Sequence, residues 1–385
     1  MTGKNSQKGA VSLFVVIFTA LLLTIITVSF VQLMLRDQQQ ATTSDLSQSA
    51  YDSAQAGVED AKRALLLNQA CDQGSAGPGV NCATVQAALA SGACDTVAAA
   101  LNIPQTNNET LIQQDESDKK LDQAYTCVKV AVNTPDYIRT LQPGESDIIP
   151  LTGTAAFDTI ELSWFTASDF SSPTGSPAVA FPSSGPGVEL PAANGVSWPF
   201  NAPSLMRAQL IQMSGSFSLG DFDDEAGAKS NANTLFLYPS SVGLNAKNFT
   251  DDARRSGLLA PQLIRCLNTL AVATYACTTT IHLPEPINGS AANRNAFLRL
   301  SALYNKSNFQ VKLFNGVAPV QFSGVQSEVD STGRANDVFR RVKSRVTLGG
   351  SFPYPQAAID IERDLCKSFT ITDNPADYSA TACNY

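Results

Sequence analysis

The feature that most constrains this chain is an uncharged, apolar run near its N-terminus. From Ala10 to Leu35 the sequence reads AVSLFVVIFTALLLTIITVSFVQLML. A helix of this length is about 39 Å long at 1.5 Å per residue, which is enough to cross a hydrocarbon core of about 30 Å with some tilt. The run exceeds the apolar core of a secretory signal, and no small-residue cleavage site follows it. It therefore predicts a single transmembrane helix over residues 10–35.

The charges that flank this run predict its orientation. Lys4 and Lys8 precede it, whereas Arg36 and Asp37 behind it cancel each other. Because basic residues are retained on the cytoplasmic side, we expect residues 1–9 in the cytoplasm and the bulk of the chain outside the membrane. A plain, uncleaved signal anchor satisfies these observations as well.

The helical pattern continues beyond the membrane. No glycine occurs between Gly9 and Gly57, and the first proline is Pro78. Small and apolar residues recur at three- and four-residue intervals, as on one narrow face of an amphipathic helix: Ala50, Ala54, Gly57, Val58, Ala61 and Leu65. We predict one helix from about Ala10 to Leu67, in which residues 36–68 are an amphipathic extension with a small-residue seam for close packing.

These features resemble type IV pilins and pilin-like proteins over about the first 67 residues. The resemblance rests on a short basic leader (Met1–Gly9), the apolar helix from Ala10 and its amphipathic extension. Within the extension, Ser49–Leu66 is similar to the Ala-rich helix of minor pilins of the PilX type. The head matches that family only in general character.

The resemblance implies a processing step and a set of partners. In that family a prepilin peptidase cleaves after the glycine, here Gly9, and methylates the new N-terminal residue, here Ala10. The implied partners are other pilin subunits, which contact the N-terminal helix, and an inner-membrane assembly platform. Most members carry glutamate at the fifth mature position, which is Phe14 in this chain. This departure argues against a major pilin and favours a low-copy or tip subunit.

The rest of the chain predicts a large head that is mainly β. It is divided by composition into a cysteine-containing Ala/Gln-rich region (69–123), a first β segment (124–170), a Pro/Gly/Ser-rich loop (171–204) and a main β segment (205–385). Strands are predicted at Tyr125–Val132, Asp147–Leu151, Thr159–Phe165, Arg207–Leu219, Thr234–Tyr238, Tyr275–Leu283, Phe297–Tyr304, Phe309–Phe314, Val317–Val329, Val338–Leu348 and Phe369–Thr372.

Helices are expected in only two places of the head. Ala83–Leu101 predicts one or two short helices, and Asp251–Leu267 a short helix interrupted at Pro261. Strands and helices do not alternate, which argues against a parallel sheet. The predicted fold class is therefore α+β, with a long N-terminal helix followed by a large, disulfide-stapled, mainly antiparallel β head.

Eight cysteines in a chain whose bulk lies outside the membrane predict up to four disulfides. They are Cys71, Cys82, Cys94, Cys127, Cys266, Cys277, Cys366 and Cys383. Sequence proximity pairs Cys266 with Cys277 and Cys366 with Cys383. The first four allow three pairings, of which we favour Cys82–Cys94 with Cys71–Cys127. The C-terminal pair resembles the disulfide-bounded loop that closes many pilin heads.

An acidic segment is a candidate calcium site. Residues 220–227 read GDFDDEAG and gather four carboxylates after a predicted strand: Asp221, Asp223, Asp224 and Glu225. Hard carboxylate oxygens bind Ca²⁺, but the twelve-residue loop with a distal glutamate is absent. A solvated acidic turn is the simpler interpretation.

Two other segments are candidate binding surfaces. In Phe339–Leu348 the alternation places three basic side chains, Arg341, Lys343 and Arg345, on one face of a strand. That face could contact DNA, an anionic glycan or an acidic neighbour, or it could be the hydrated face of an antiparallel sheet. In the proline-rich loop, Phe181, Trp198 and Phe200 could form an aromatic ligand platform or pack the loop against the head.

Composition and motifs give little support to catalysis. The formal charge of −8 argues against broad nucleic-acid binding, which needs a basic surface. His282 is the single histidine, and its position between Ile281 and Leu283 is typical of a strand. The chain has no nucleophile elbow, phosphate-binding loop or zinc-protease motif, and we expect no cofactor. A carboxylate pair for glycoside hydrolysis stays open.

The sequence thus predicts a non-enzymatic minor subunit, at the tip or in low copy, of a type IV pilus or related filament. Its role would be in pilus assembly, motility or surface adhesion. The expected location is a single membrane span with an extracytoplasmic head, followed by assembly into a surface filament. Three alternatives stay open: a filament-borne adhesin for a protein or glycan, a pseudopilin of a secretion or DNA-uptake system, and a membrane-tethered hydrolase.

Overall fold

The fold is described from a computed structural model of the chain. The described residues are 8–94, 96–112, 122–169, 178–182, 197–212, 232–249, 261–271, 274–288 and 296–348.

The N-terminal helix, α1, runs without a break over Lys8–Asp72. The absence of proline, and of any glycine beyond the first turn except Gly57, allows this length, which is about 98 Å at 1.5 Å per residue. Gly74, at φ +66°, lies just past its end, where Ser75 N–H donates to the carbonyl of Ala70 and Gly74 N–H to that of Cys71. These two hydrogen bonds form a Schellman motif, which satisfies the last carbonyls of the helix. The predicted uninterrupted helix is confirmed and is five residues longer at its C-terminal end.

Two short helices follow: α2 at Cys82–Ser91 and α3 at Thr96–Leu101. The side chain of Asn81 caps α2 by accepting from the backbone N–H of Thr84, and Gly92, at φ +61°, ends it. Both helices pack with α1 and β2. The prediction of one or two short helices is confirmed, and the structure has two.

The strands in the described residues are, in chain order, β1 Thr110–Leu111, β2 Gln123–Thr134, β3 Tyr137–Leu141, β4 Ser146–Pro150, β5 Phe157–Trp164, β6 Leu205–Gln212, β7 Ala232–Ser240, β8 Ala246–Asn248, β9 Gln262–Arg265, β10 Cys277–Ile287, β11 Ala296–Leu303, β12 Ser307–Asn315, β13 Ala318–Val320, β14 Phe322–Ala335 and β15 Val338–Thr347.

These strands form three sheets. The first, called the stem sheet here because α1 packs on it, has the order β1-β2-β14-β15 and is antiparallel throughout. A six-stranded sheet has the order β13-β12-β5-β10-β8, with β3 also paired to β12. A five-stranded sheet has the order β4-β11-β6-β7-β9. The pairs β8–β10 and β7–β9 are parallel, and the other pairs are antiparallel, as the fold class predicted.

The six- and five-stranded sheets contribute to one apolar core. Trp164 and Phe309 from the former are fully buried in the same cluster as Leu210, Leu237 and Leu298 from the latter. A separate cluster joins α1, α2 and α3 to the stem sheet. We call the six- and five-stranded sheets together the sandwich. Phe322 and Val325 of β14 also belong to its core, so this long strand connects the sandwich with the stem sheet.

Several strand predictions need correction. The predicted strand Val317–Val329 is two strands, β13 and β14. The short strands β1, β3 and β8 were not predicted. The predicted helix Asp251–Leu267 is wrong over Gln262–Arg265, which is strand β9 paired with β7. Pro261 prevents a helix from continuing through this point, and the neighbouring strand supplies the hydrogen bonds instead. Residues 250–260 and the predicted strand Phe369–Thr372 lie outside the described residues.

Three disulfides are present in the described residues: Cys71–Cys82, Cys94–Cys127 and Cys266–Cys277. The last was predicted from proximity and is confirmed. The favoured pairing of the first four cysteines is wrong, because Cys82 lies at the start of α2 beside the end of α1, where Cys71 is located. Cys366 and Cys383 lie outside the described residues.

Candidate functional site: the N-terminal helix and its seat on the stem sheet

The first half of α1 is apolar on every side and is not packed on by any described residue of the head. Between Leu13 and Leu35 the large apolar side chains are 49–70% exposed. No described residue of the head packs on this segment, whose span meets the length and hydropathy of a membrane helix. Burying a large apolar side chain is worth about 1.5–3 kcal/mol, so this segment is suited to a non-aqueous environment, which the described residues of the head do not supply.

The three threonines in this half are compatible with lipid. The hydroxyls of Thr19, Thr24 and Thr27 donate to backbone carbonyls three or four residues earlier, at 2.8–3.0 Å. A hydroxyl that is satisfied within its own helix avoids the cost of an unpaired polar group in hydrocarbon. The composition and the hydrogen bonding of this half therefore agree.

The second half of α1 is seated on the stem sheet through its small residues. The predicted seam is confirmed: Ala50, Ala54 and Ala61 are fully buried, and Val58 and Leu65 nearly so. They face a row of apolar residues on β2, β14 and β15, which includes Val128, Val130, Val329 and Val346. The opposite face of this half carries charged side chains such as Glu59 and Lys62, which pair with each other.

Gly57 shows why the seam consists of small residues. A Cβ at this position would lie 2.8 Å from Cγ2 of Val128 and still closer to the hydroxyl of Ser331. Glycine inside a helix costs about 1 kcal/mol relative to alanine. Its presence here is explained by the close approach of helix and sheet, which leaves no room for a side chain.

On the sheet side of the contact, Gly333 on β14 also leaves no room for a side chain. A Cβ there would lie 2.8 Å from the carbonyl carbon of Ser53 and in hard overlap with backbone atoms of Ala50 and Ala54. At this point the backbones of helix and strand are nearly in contact. Sequence reasoning missed Gly333, although an isolated glycine inside a strand pattern is a known signal of close backbone approach.

Polar contacts fix the helix along the seam. The hydroxyl of Tyr125 on β2 donates to Asp60 at 2.9 Å, and Arg340 on β15 donates to the hydroxyl of Ser47 at 2.7 Å. Burial, with the nearby Asp60 charge, raises the pKa of Tyr125 to about 12. The tyrosine therefore stays protonated, and its hydroxyl remains a donor, throughout the neutral range.

The residues named for processing and assembly lie at the N-terminal end of α1. Gly9 and Ala10 fall in its first turn, and Phe14 is 70% exposed within the apolar half. Residues 1–7 lie outside the described residues. The geometry therefore shows where these positions are, and their roles stay predictions.

The basic face of β15 is occupied by ion pairs. Arg341 pairs with Asp330, Lys343 with Glu328 at 2.8 Å, and Arg345 with both Glu328 and Asp136. The Arg341 guanidinium holds the pKa of Asp330 below its usual range. These side chains line the face of the stem sheet opposite α1, as the hydrated-face interpretation expects. The alternative of an anionic ligand would require the partners to be displaced.

The remaining sequence candidates are distributed elsewhere. His282 lies in β10 between buried neighbours, with Nδ1 3.2 Å from the hydroxyl of Thr159. Trp198 is buried against Tyr238 and Tyr304, and Phe181 packs on the sandwich core, so the loop-packing interpretation holds for both. Phe200 is exposed. The acidic residues Asp221, Asp223, Asp224 and Glu225 lie outside the described residues.

One further ionic cluster was not predicted. Arg334 on β14 donates to Glu109 and Asp122, at 2.6 Å to each, and so connects β14 with the residues that precede β1 and β2. Both partners help to raise the pKa of Arg334. Its partners lie more than 200 residues away in sequence, which hides them from pattern reasoning. Among the described residues, His, Cys, Asp and Glu form no group suited to hold a metal ion.

Comparisons of the chain with protein-family models, with curated protein sequences and with solved structures gave no significant match. The functional argument therefore rests on the residues and geometry of the chain itself.

Proposed function

We propose that the chain is a minor subunit of a type IV pilus or a related filament and is not an enzyme. The observation that carries the proposal is the continuity of α1. One unbroken helix passes from an exposed, wholly apolar half to a half that is buried on a sheet through small residues. A plain anchor needs the first half only.

The physics of such a helix suits a subunit that moves from membrane to filament. A half-helix that is apolar on every face is stable both in a bilayer and in a bundle of like helices, because neither environment requires a polar face. The rigid continuation into the head would transmit the position of the membrane half to the head. Removal of Met1–Gly9 would delete Lys4 and Lys8, which favour retention of the N-terminus at the cytoplasmic surface.

The proposed position is at the tip or in low copy. Phe14 replaces the glutamate that the resemblance leads one to expect, and a large β head follows the helix. A sandwich of two sheets in addition to the stem sheet is bulky for dense packing along a shaft. Whether the filament is a pilus or a secretion or DNA-uptake pseudopilus depends on the machinery around it, and the adhesin and hydrolase alternatives stay untested predictions.

The test is mass spectrometry of the N-terminus of protein isolated from the envelope of cells that process other prepilins. We expect the chain to begin at Ala10 and to be heavier by one methyl group. The variant Gly9→Leu should retain its leader, whereas the control Gly3→Leu, with the same exchange in the same leader, should be processed normally.

A chain that still carries Met1–Gly9 in such cells would contradict the proposal and leave an anchored β protein. Normal processing of Gly9→Leu would contradict the assigned cleavage position.

A further inference from the structure

Arg299, in the middle of β11, carries a buried donor that has no acceptor. In the part of the chain that the structure describes, its Nε atom is shielded from solvent and forms no hydrogen bond. Within the same residues the guanidinium donates only to the hydroxyl of Ser146, from Nη2 at 3.4 Å, which is long for a hydrogen bond. Native proteins seldom leave such a donor unpaired, and a bound ion or water is a common explanation where they do. The guanidinium is therefore a candidate to bind a ligand.

The five-stranded sheet supplies no carboxylate to Arg299. Among its five strands, Asp147 on β4 is the only acidic residue. Asp147 lies opposite Leu300, which is buried in the sandwich core, and its carboxylate accepts from Tyr137 and Arg139 of the other sheet. Since side chains alternate along a strand, Arg299 points to the opposite, outward face. The strands around Arg299 thus leave its charge without a counter-charge on that face.

Strand register gathers further donors around the guanidinium. Gln209 on β6 lies directly opposite Arg299, and Ser301 is two positions along β11 on the same face. Ser146 on β4 lies opposite Ser301, and the two hydroxyl oxygens are 2.7 Å apart. An amide group and two hydroxyls can therefore donate hydrogen bonds to a ligand beside the guanidinium. We call these four side chains the Arg299 cluster.

The chemistry of the Arg299 cluster favours a small oxyanion. A guanidinium only donates, and its planar fork fits the oxygens of a carboxylate, sulfate or phosphate group. A cation would be repelled by Arg299. A neutral ligand would leave a half-buried charge uncompensated, which costs free energy. An anion with several acceptor oxygens satisfies both the charge and the neighbouring donors.

We propose that the Arg299 cluster, on the outward face of the five-stranded sheet, is a binding site for an oxyanion. Arg299 supplies the charge, and Gln209 with the two serine hydroxyls orients the ligand. The proposal explains why an arginine occupies a half-buried position in a sheet that offers it no carboxylate. The cluster lies in the head, so this inference holds or fails independently of the role of α1.

The test is thermal unfolding of the full chain in detergent micelles. Sodium sulfate, sodium phosphate and sodium acetate are each compared with sodium chloride at equal ionic strength. At ten times its dissociation constant, a bound anion should raise the melting temperature by about 3 °C. Sulfate and phosphate also stabilise proteins through exclusion from their surfaces. The quantity that decides is therefore the difference in this rise between the wild type and Arg299→Gln, which should lose about 3 °C of it.

The matched control is Arg265→Gln. It removes the same charge from an exposed position on β9 of the same sheet and should keep the full rise. A rise with sulfate and phosphate alone would assign a tetrahedral oxyanion, and a rise with acetate as well would assign a site that also accepts carboxylates. An equal rise in Arg299→Gln and the wild type with all three anions would overturn the proposal.

A second variant separates ligand binding from a structural role. Arg299→Leu keeps apolar bulk and removes a guanidinium whose one hydrogen bond in the described chain is the long one to Ser146. In chloride, its melting temperature should therefore equal or exceed that of the wild type, because no well-formed hydrogen bond is lost and an unpaired buried donor is removed. A melting temperature several degrees below the wild type in chloride would mean that Arg299 is a structural residue, and the proposal would fail.

Discussion

The two halves of α1 form one continuous helix but differ in the size and the burial of their side chains. Residues 13–35 carry large, branched and aromatic side chains that are exposed on every face. From Ala50 to Leu65 the buried positions are mostly alanine and glycine, and the other faces are polar. One half lacks a protein partner in the described chain, whereas the other is in near-backbone contact with its sheet.

The difference shows which property each environment demands. In lipid or in a helix bundle, burial of apolar area stabilises a helix without a specific fit to one surface. Large apolar side chains on all faces are therefore enough for stability there. A helix packs closely on a rigid sheet only where side chains are small. The helix therefore has glycine at position 57 and the sheet has glycine at position 333. Apolar area and close fit are therefore separable demands within a single helix.

The largest expected effect tests the membrane half alone. Substituting both Leu21→Asp and Ile25→Asp should cost about 6 kcal/mol of membrane insertion, because an acidic residue near the helix centre costs about 3 kcal/mol. The protein should then be released from membranes by alkaline carbonate. The free energy of unfolding of the head should not change, since neither side chain contacts it.

The matched control is Gln39→Asp with Thr43→Asp, which places the same charges at exposed positions of the same helix beyond the apolar run. Retention of the first variant in the pellet, or release of the control, would show that this half is not the membrane segment.

A second prediction tests the seated half. Gly333→Val should destabilise the contact of α1 with the stem sheet by about 3 kcal/mol, because the added atoms overlap the helix backbone, which cannot move aside as a side chain can. Hydrogen exchange should then show lost protection at residues 50–65 and on β14, with the sandwich strands β5 and β10 unchanged.

Gly77→Val is the control, since a Cβ at Gly77 meets nothing within 4 Å. Equal protection of residues 50–65 in Gly333→Val and the wild type would mean that helix and sheet are not in backbone contact.

The smallest expected effect concerns the polar tie between Tyr125 and Asp60. Tyr125→Phe removes one partly buried hydrogen bond and should cost about 1 kcal/mol at pH 7. The folded-state pKa of Tyr125 is raised to about 12 from 10, so its contribution is complete below pH 10 and is lost as the pH rises towards 12. Urea unfolding at pH 7 and pH 11 should show that the free energy of unfolding falls less between these two pH values in Tyr125→Phe than in the wild type.

In Tyr125→Phe the free energy of unfolding should still fall as the pH rises above 10, because another buried tyrosine remains. Burial also raises the pKa of Tyr137, and its effect on stability has the same sign. Tyr51→Phe changes an exposed tyrosine of α1 and should leave the slope as in the wild type. If the free energy of unfolding had the same pH dependence in Tyr125→Phe and the wild type, Tyr125 would be excluded as a source of that dependence.

Local patterns predicted much of the candidate site. The apolar run needs only composition, and the seam from Ala50 to Leu65 needs only helical periodicity, so both were readable in the sequence. The alternation in residues 339–348 placed the basic side chains together on one face. Their carboxylate partners on β14 and at Asp136 were not predicted, because register between distant strands is set by packing.

Failures of prediction occurred where a distant element decides the local structure. The residues Gln262–Arg265 are strand because β7 lies beside them, and the first four cysteines pair according to where α2 meets the end of α1.

By itself, the sequence determined that α1 is long and continuous, that its first half avoids water, and that its second half has one narrow packing face. These follow from hydrophobicity and helix periodicity, which act between near neighbours. The tertiary structure alone decided which sheet receives that face, why Gly333 must be glycine, and how Arg341, Lys343 and Arg345 are neutralised. Each of these depends on contacts between residues far apart in the chain, whose geometry is fixed only when the layers pack.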